Sequence, residues 1–350
     1  MAFIPENKNS TVYQIDKWWS DNQDGGNRSH LGASLIGRRC KRQLWYVFRW
    51  AVKHNHAGRL LRLFNRGHEE ENRFIRDLRN IGVTVFDVDP TTGKQFQYSA
   101  CNGHFGGSMD GACQGIPESS KWHVLEFKTS GDKAFQQLKK EGVEKAKPEH
   151  FAQMQCYMHW SGMKRALYMV VNKNDDELYS ERIKYDKDIA ESYFKKAEEI
   201  INAEQAQEGI STDPSWYECK WCDYQSICHE KERPEVNCRT CAYSTPMEKA
   251  EWNCELHESP IGEKDQRQGC KQHIFNPCFI DAEIINHGSG FIEYQTDKGT
   301  FINGVGGFKS IEVKHSDLNA LASLTKDNGF TVLKDAFNGS VIEARTYADC

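Results

Sequence analysis

Two stretches decide how this 350-residue chain is read: His104-Phe105-Gly106-Gly107-Ser108-Met109-Asp110-Gly111-Ala112 and His123-Val124-Leu125-Glu126-Phe127-Lys128-Thr129. Both are β-prone and largely apolar, and both run out on charge. The first ends at Asp110, and the second at Glu126, with Lys128 two positions on along the same strand face. At hairpin distance, the pair sets two carboxylates and an ammonium around one point. A buried-looking strand that finishes in charge is unusual unless the charge coordinates something. Phosphodiester hydrolysis needs a divalent cation to activate water, and hard cations such as Mg2+ or Mn2+ take oxygen ligands. A neighbouring lysine can then orient the water or stabilise the developing anion. The plain alternative is a salt bridge at a strand end. Glu-x-Lys alone says little, because the chain holds four such triplets, beginning at Glu6, Glu126, Glu218 and Glu312. Only the one at Glu126 follows an Asp-Gly strand end.

Outward from these strands, residues 11–22, 38–53 and 57–80 read as helices. In the last, Leu60, Leu61, Phe64, Phe74, Ile75 and Leu78 recur at helical spacing, with His68 on the same stripe and Glu71 three positions later. A histidine on such a face is, taken singly, more often a core residue than a ligand. Strands are expected at 83–88, 95–99, 104–112 and 123–127. Helices follow at 133–141 and 148–160, then a hairpin over 165–172 and 177–185 and a charged helix over 186–207. That order defines an α/β core, a mixed sheet flanked by helices. After Pro234 the periodicity fades into a cysteine-rich module. Beyond residue 279 short β-prone runs and one helix make a small α+β unit.

Composition is that of a folded protein: 38% hydrophobic, 27% charged, net charge −5. The first ten residues show no leader, and the longest apolar run, around residues 166–171, is too short to span a bilayer, so a soluble, cytoplasmic protein without a membrane partner is expected. Residues 25–68 contain no Asp or Glu but ten Lys and Arg: Arg28, Arg38, Arg39, Lys41, Arg42, Arg49, Lys53, Arg59, Arg62 and Arg66. So one-sided a stretch suggests a surface that tracks a polyanion, the alternative being a solvated basic helix.

Thirteen cysteines in such a chain point to metal ligands rather than a disulfide scaffold, with Cys101, Cys113 and Cys156 read as small buried residues. Cys219, Cys222 and Cys228 form C-x2-C-x5-C, and their fourth partner, Cys40, lies far upstream; the set reads as a staple between the two ends of one domain. Four thiolates suit either tetrahedral zinc or a cubane iron–sulfur cluster, and spacing does not separate them. Cys238, Cys241, Cys254 and Cys270 look like a structural Zn2+ site, with Cys278, His257 and His273 as competing ligands.

Gly107-x-x-Asp110-Gly111, Leu125-Glu126-Phe127-Lys128-Thr129 and His150-x-x-Gln153-x-x-x-Tyr157, preceded by Gly67-His68-Glu69, resemble the PD-(D/E)XK nuclease superfamily in its RecB-like branch. The cysteine set is similar to that branch's iron–sulfur subgroup, which includes AddB nuclease domains and CRISPR-associated RecB-like exonucleases. The likeness covers roughly residues 30–230. It implies a restriction-endonuclease-like core in which His68, Asp110, Glu126 and the Phe127 carbonyl hold Mg2+ or Mn2+ and Lys128 is the catalytic lysine. Gln153 and Tyr157 would position the substrate strand. Cys40, Cys219, Cys222 and Cys228 would carry a [4Fe-4S] cluster.

The expected organisation is therefore a nuclease domain over 1–235, a cysteine-rich module over 236–278 and a small α+β unit over 279–350. The expected activity is metal-dependent DNA cleavage, as an exonuclease on ends or single strands, in recombination, repair or end processing. The competing readings are a non-catalytic DNA-binding or recruitment module that keeps the fold, and a zinc-dependent regulator.

Overall fold

The structure, a computed structural model, describes residues 8–23 and 27–326. Glu6 of the first Glu-x-Lys triplet, the start of the acid-free stretch at Gly25 and residues 327–350 of the expected C-terminal unit lie outside the described residues. In chain order the elements are α1 (Thr11–Asp21), β1 (Leu31–Gly32), α2 (Lys41–Phe48), α3 (Gly58–Asn80), β2 (Thr84–Phe86), β3 (Phe96–Ala100), β4 (Phe105–Met109), β5 (Gly111–Ile116) and β6 (Ser119–Ser130). There follow α4 (Asp132–Glu141), α5 (Val143–Ala146), α6 (Pro148–Ser161), β7 (Arg165–Asn172), β8 (Leu178–Lys184) and α7 (Lys187–Ile201).

The chain divides into two compact units. One comprises Met1–Arg38, His54–Cys101 and Phe105–Glu198, the other Arg39–Lys53, Asn102–His104 and Glu199–Cys350. This division differs from the boundary expected near 235, because the segment holding Cys40 counts with the second unit. Local contacts account for it: Arg39 pairs with Glu218 at 2.8 Å, Lys41 with Glu199 at 2.6 Å, and the Trp45 indole donates to the Ala203 carbonyl at 2.9 Å.

The first unit is built on a five-stranded sheet in the order β2-β5-β6-β7-β8. All neighbours are antiparallel except β6 and β7, which run parallel and are joined by the crossover through α4, α5 and α6. The run expected as one strand over 104–112 is two. β4 pairs with β1 and β3 in a separate small sheet, and β5 joins the main sheet, with Asp110 as the single residue between them. Gly111 makes the change of sheet possible, since a Cβ there would sit 2.7 Å from the Phe86 carbonyl oxygen.

Strand period sorts the side chains of β6. Leu125 and Phe127 join the core cluster with Phe74, Ile75 and Leu78 of α3, where the Phe74 and Phe127 rings stack with centroids 5.0 Å apart and planes 15° from parallel. Glu126 and Lys128 therefore take the opposite face. The apolar stripe expected along all of α3 is buried only in its last third. Leu60, Leu63 and Phe64 are exposed; this part of the helix is met by α1, whose Asp16 carbonyl so closely approaches Gly58 that a Cβ would be 1.8 Å away, and by the His56 ring, 5.4 Å from that of Phe64.

The second unit holds α2, two short helices α8 (Tyr217–Lys220) and α9 (Gln225–His229), a sheet of β9 (Ser244–Pro246), β10 (Trp252–Cys254) and β11 (Ser259–Ile261), and α10 (Glu263–Gln268). A further antiparallel sheet, β12 (Glu283–Gly288), β13 (Phe291–Thr296) and β14 (Gly299–Gly304), is covered by α12 (Leu318–Lys326) and touched by α11 (Ser310–His315). The helix expected over 38–53 is only α2: the Cys40 sulfur caps it by accepting the Gln43 N–H at 3.4 Å, and Trp50 turns the chain at φ 53°. Among the described residues no helix is long and apolar enough to cross a membrane.

Because Phe74 seats the strand that carries the acidic site, Phe74→Ala is expected to cost about 3–5 kcal/mol, and the better-filling Phe74→Leu clearly less. Chemical denaturation followed by circular dichroism measures both, and equal losses would contradict the packing account.

Candidate active site

Register brings the two acidic strand positions together. Gly111 lies opposite Leu125, so the residue before it, Asp110, comes level with Glu126 just where β5 leaves the flank of β6. The Phe127 N–H, exposed on that vacated edge, donates to Asp110 Oδ2 at 2.8 Å. The Phe127 carbonyl points to the same edge, because both backbone groups of a strand residue face one neighbour. Asp110 is thus clamped by the backbone of the strand that carries Glu126 and Lys128.

Glu126 has no exposed surface. The Lys128 ammonium hydrogen-bonds its Oε1, while Oε2 is buried without a partner among the described residues. Burial, followed by the neighbouring charges of Asp110 and Glu71, pushes the Glu126 carboxyl up to about 8 against the pull of Lys128. Burial also raises Asp110, though Lys128 and the Phe127 N–H oppose it. For Lys128, burial works downward but is outweighed by the carboxylates of Glu126, Asp110 and Glu71, and the net direction is up. Three acids thus share one cation, and the site has an unmet demand for positive charge.

Glu71 is the residue that sequence reasoning missed. It lies on α3 within electrostatic reach of Asp110 and Lys128; burial and then Asp110 raise its carboxyl, while His68 and Lys128 pull it down. The signal was present: a carboxylate standing where the helical stripe, ending in Phe74, Ile75 and Leu78, called for an apolar side chain. His68, by contrast, is 75% exposed at the rim, with Nδ1 3.4 Å from Glu71 Oε1. It bears on Asp110 only through the field.

On α6, Gln153 Nε2 donates to the Tyr157 hydroxyl at 3.2 Å, and that hydroxyl donates to the Ser108 carbonyl at 2.7 Å. Tyr157 is buried and so pins the end of β4 two residues before Asp110. Gly107 is required beneath it, because a Cβ there would lie 2.7 Å from the hydroxyl oxygen. Gln153 Oε1 is buried with no partner among the described residues. His150 Nδ1 meets the Tyr168 hydroxyl at 2.7 Å, and burial, then the nearby Lys128 charge, hold its ring neutral with a pKa lowered to about 3.

Among the described residues no three His, Cys, Asp or Glu side chains are already gathered to grip an ion. The residues nonetheless fit one: Glu126 offers a bare buried oxygen, Asp110 its second oxygen, and Lys128 holds the charge that a cation would take. The two cysteine sets each line one hollow of the second unit. Cys40, Cys219, Cys222 and Cys228 all line the first, where Arg42 and Gln43 donate to the Cys228 and Cys222 sulfurs at 3.4 Å each. Cys238, Cys241, Cys254 and Cys270 line the second, as does His273. No disulfide joins the described cysteines.

The acid-free stretch is not free of acids in space. Arg38 lies 3.6 Å from Glu149 and Arg62 3.4 Å from Asp16, and Arg39 and Lys41 are paired as above. Arg42 is turned to Cys228 and the Gln207 carbonyl, and Arg49 is buried. Arg59 and Arg66, on the projecting part of α3, remain exposed without an ion pair among the described residues.

A family model described as the PD-(D/E)XK nuclease superfamily matches residues 28–229. The chain belongs to this superfamily. Among solved structures it is similar to SSO0001, at 16% identity and a TM-score of 0.38, over 63% of this chain and 97% of that one. It is also similar to the alkaline exonuclease LHK-Exo from Laribacter hongkongensis, at 17% identity and a TM-score of 0.34, over 53% of this chain and 89% of that one. The complex of LHK-Exo with dAMP matches at 16% identity over the same shares. No curated protein matches the chain significantly.

The raised carboxyls set a pH dependence. An acid whose folded pKa lies above its unfolded value contributes stability in full below the ordinary glutamate range and loses it as pH rises through the folded value, here about 8 for Glu126. Protein freed of divalent ions should therefore melt at progressively lower temperature from pH 5 to 9. Glu126→Gln should flatten that slope, and Mg2+ or Mn2+ should raise the wild-type Tm more at pH 8 than at pH 5. Thermal melts across pH, with and without the ions, give the answer; a wild-type slope retained in Glu126→Gln would place the titrating group elsewhere.

Proposed function

We propose that the chain is a metal-dependent deoxyribonuclease of the RecB-like branch, acting as an exonuclease on DNA ends or single strands. One observation carries this reading. Asp110, Glu126 and Lys128 converge on one buried point that lacks a cation's worth of positive charge. Asp110, Glu126 and the Phe127 carbonyl would hold Mg2+ or Mn2+, with Glu71 beside them and His68 at the rim. That ion would supply the Lewis acidity that activates water and offsets charge at phosphorus. Lys128 keeps its proton among the carboxylates and stabilises the developing anion. Gln153 and Tyr157 hold the floor of the site against Ser108, and the bare Gln153 oxygen remains to orient a donor.

Support for the iron–sulfur assignment comes from the resemblance and from the hollow lined by Cys40, Cys219, Cys222 and Cys228. The N–H donors of Arg42 and Gln43 directed at its sulfurs suit an anionic thiolate centre. Anaerobically purified protein should then be brown, and Cys40→Ser should bleach it; zinc in place of iron would refute the cluster.

The strand is proposed to approach along the projecting part of α3, where Leu60, Leu63 and Phe64 are exposed between Arg59 and Arg66. An unpaired base can stack on the Phe64 ring, with the leucines as apolar flank, and the two arginines meet phosphates. Two phosphate contacts correspond to a slope of roughly −1.4 in log affinity against log salt for single strands. Replacing Arg59 and Arg66 by Ala should flatten the measured slope by about that amount.

Activity is tested on end-labelled linear and circular DNA in Mg2+ or Mn2+, beside a binding assay in Ca2+. Asp110→Asn and Lys128→Ala should each abolish most cleavage, on the order of 10³-fold or more, and leave binding intact; the double variant should lose little beyond either one. Wild-type binding without any cleavage would favour the recruitment reading. Near-normal cleavage by either single variant would show that the site is misplaced.

A further inference from the structure

We propose that Cys238, Cys241, Cys254 and Cys270 form a tetrathiolate site for one structural zinc ion in the second unit, distinct from the nuclease chemistry and from the first cysteine set. All four line one hollow, whereas Cys278 and His257, which compete with them on sequence alone, do not.

Three independent pieces of the chain converge there. Cys238 and Cys241 flank a short 3-10 turn, Cys238–Thr240, which is fixed before any ion arrives. The Asn237 side chain accepts the Arg239 and Thr240 N–H groups at 2.9 and 3.3 Å, and the Thr240 hydroxyl oxygen accepts the Asn237 N–H at 3.3 Å. Burial pushes the Cys241 thiol up to about 11, and the backbone of Tyr243 and Ile274 works against that rise, as a bound cation would. Cys254 ends the central strand of the small sheet, opposite Ser244 on one side and Ser259 on the other. Cys270 arrives from the end of α10 through Gly269, at φ 66°, whose hydrogen faces Asn237 Cα; a Cβ there would be 3.4 Å from it.

A second observation asks for negative charge at this place. Arg49 is 4% exposed, and its guanidinium lies over the Trp45 and Trp252 rings at 5.2 Å each. It donates to the carbonyls of Arg239 and Ser244 at 3.3 and 2.9 Å, two residues before Cys241 and three after it. Its Nε has no partner, and no carboxylate pairs with it among the described residues. A cation buried among rings and carbonyls needs a compensating anion. Four thiolates around one divalent ion leave a net negative centre; of the two thiols that act on Arg49, Cys278 and then Cys241, only Cys241 lines this hollow. Four soft ligands, among strands of only three residues each, suit zinc, which takes tetrahedral thiolates in structural sites. The side chains must turn inward to close on the ion, since they are not drawn together as they stand.

The full-length chain, purified under reducing conditions and dialysed, is analysed for zinc, iron and sulfide. One zinc per chain is expected, falling at least tenfold in Cys254→Ser and unchanged in Cys278→Ser and Cys219→Ser. Because a ligand variant can misfold, the wild-type and Cys219→Ser chains are also stripped and reloaded with Co2+, whose visible bands report tetrahedral thiolate coordination. Folded wild-type protein with neither zinc nor that cobalt spectrum overturns the site. Zinc that survives Cys254→Ser, or that leaves with Cys219→Ser, overturns it equally, as does iron that leaves with Cys254→Ser.

Discussion

The hydrogen bond from the Phe127 N–H to Asp110 is the constraint on which the first unit turns. It is made by a backbone group that would have bonded β5 had that strand continued, and it becomes available because the chain changes sheets at Asp110. A carboxylate held by backbone cannot wander, so its distance to Glu126 is set by strand spacing rather than by side-chain choice. The neighbouring residues then follow from alternation. Phe127 packs inward on Phe74, and Glu126 and Lys128 are driven to the other face whatever their solvation cost. The raised carboxyl of Glu126 is that cost made visible.

Around this point the surroundings serve position more than chemistry. Tyr157 spends its hydroxyl on the Ser108 carbonyl, and Gly107 clears the space for it, so α6 fixes the strand end immediately before Asp110. The neutral ring of His150 sits against Tyr168 and adds no charge to a site already short of room for it. A polar residue can thus belong to a recurrent motif and still act through the backbone it steadies.

Much of this was legible from residues alone. The α/β core, the pairing of the Asp110 and Glu126 strands, the crossover helices and the closing hairpin follow from period and turn chemistry. Cysteine spacing suggests two sets of four but leaves Cys278, His257 and His273 in competition for the second, and His273 does line that hollow. What was not legible depends on tertiary context. A run from His104 to Ala112 carries no mark of where it changes sheets, except a glycine whose need arises only from Phe86. The stripe of α3 looks continuous in sequence, but burial stops where the sheet stops, so Leu60 and Phe64 are exposed. The stretch without acids looks like an unpaired charged surface in sequence because its partners, Glu149, Glu199 and Glu218, lie far along the chain.

The lone residue between β4 and β5 also restricts how this lineage can vary. With two sheets meeting at Asp110, an insertion or deletion of one residue on either side would turn every following side chain of that strand to the wrong face. Length can change without that penalty in the hairpin tip between Ile116 and Ser119, beyond the register shift that the pair already takes between Gln114 and Ile116. Homologues of this chain should therefore differ freely in loop length at that tip and scarcely at all between Gly107 and Ala112, a pattern of gaps that would mark the site even where its side chains have diverged.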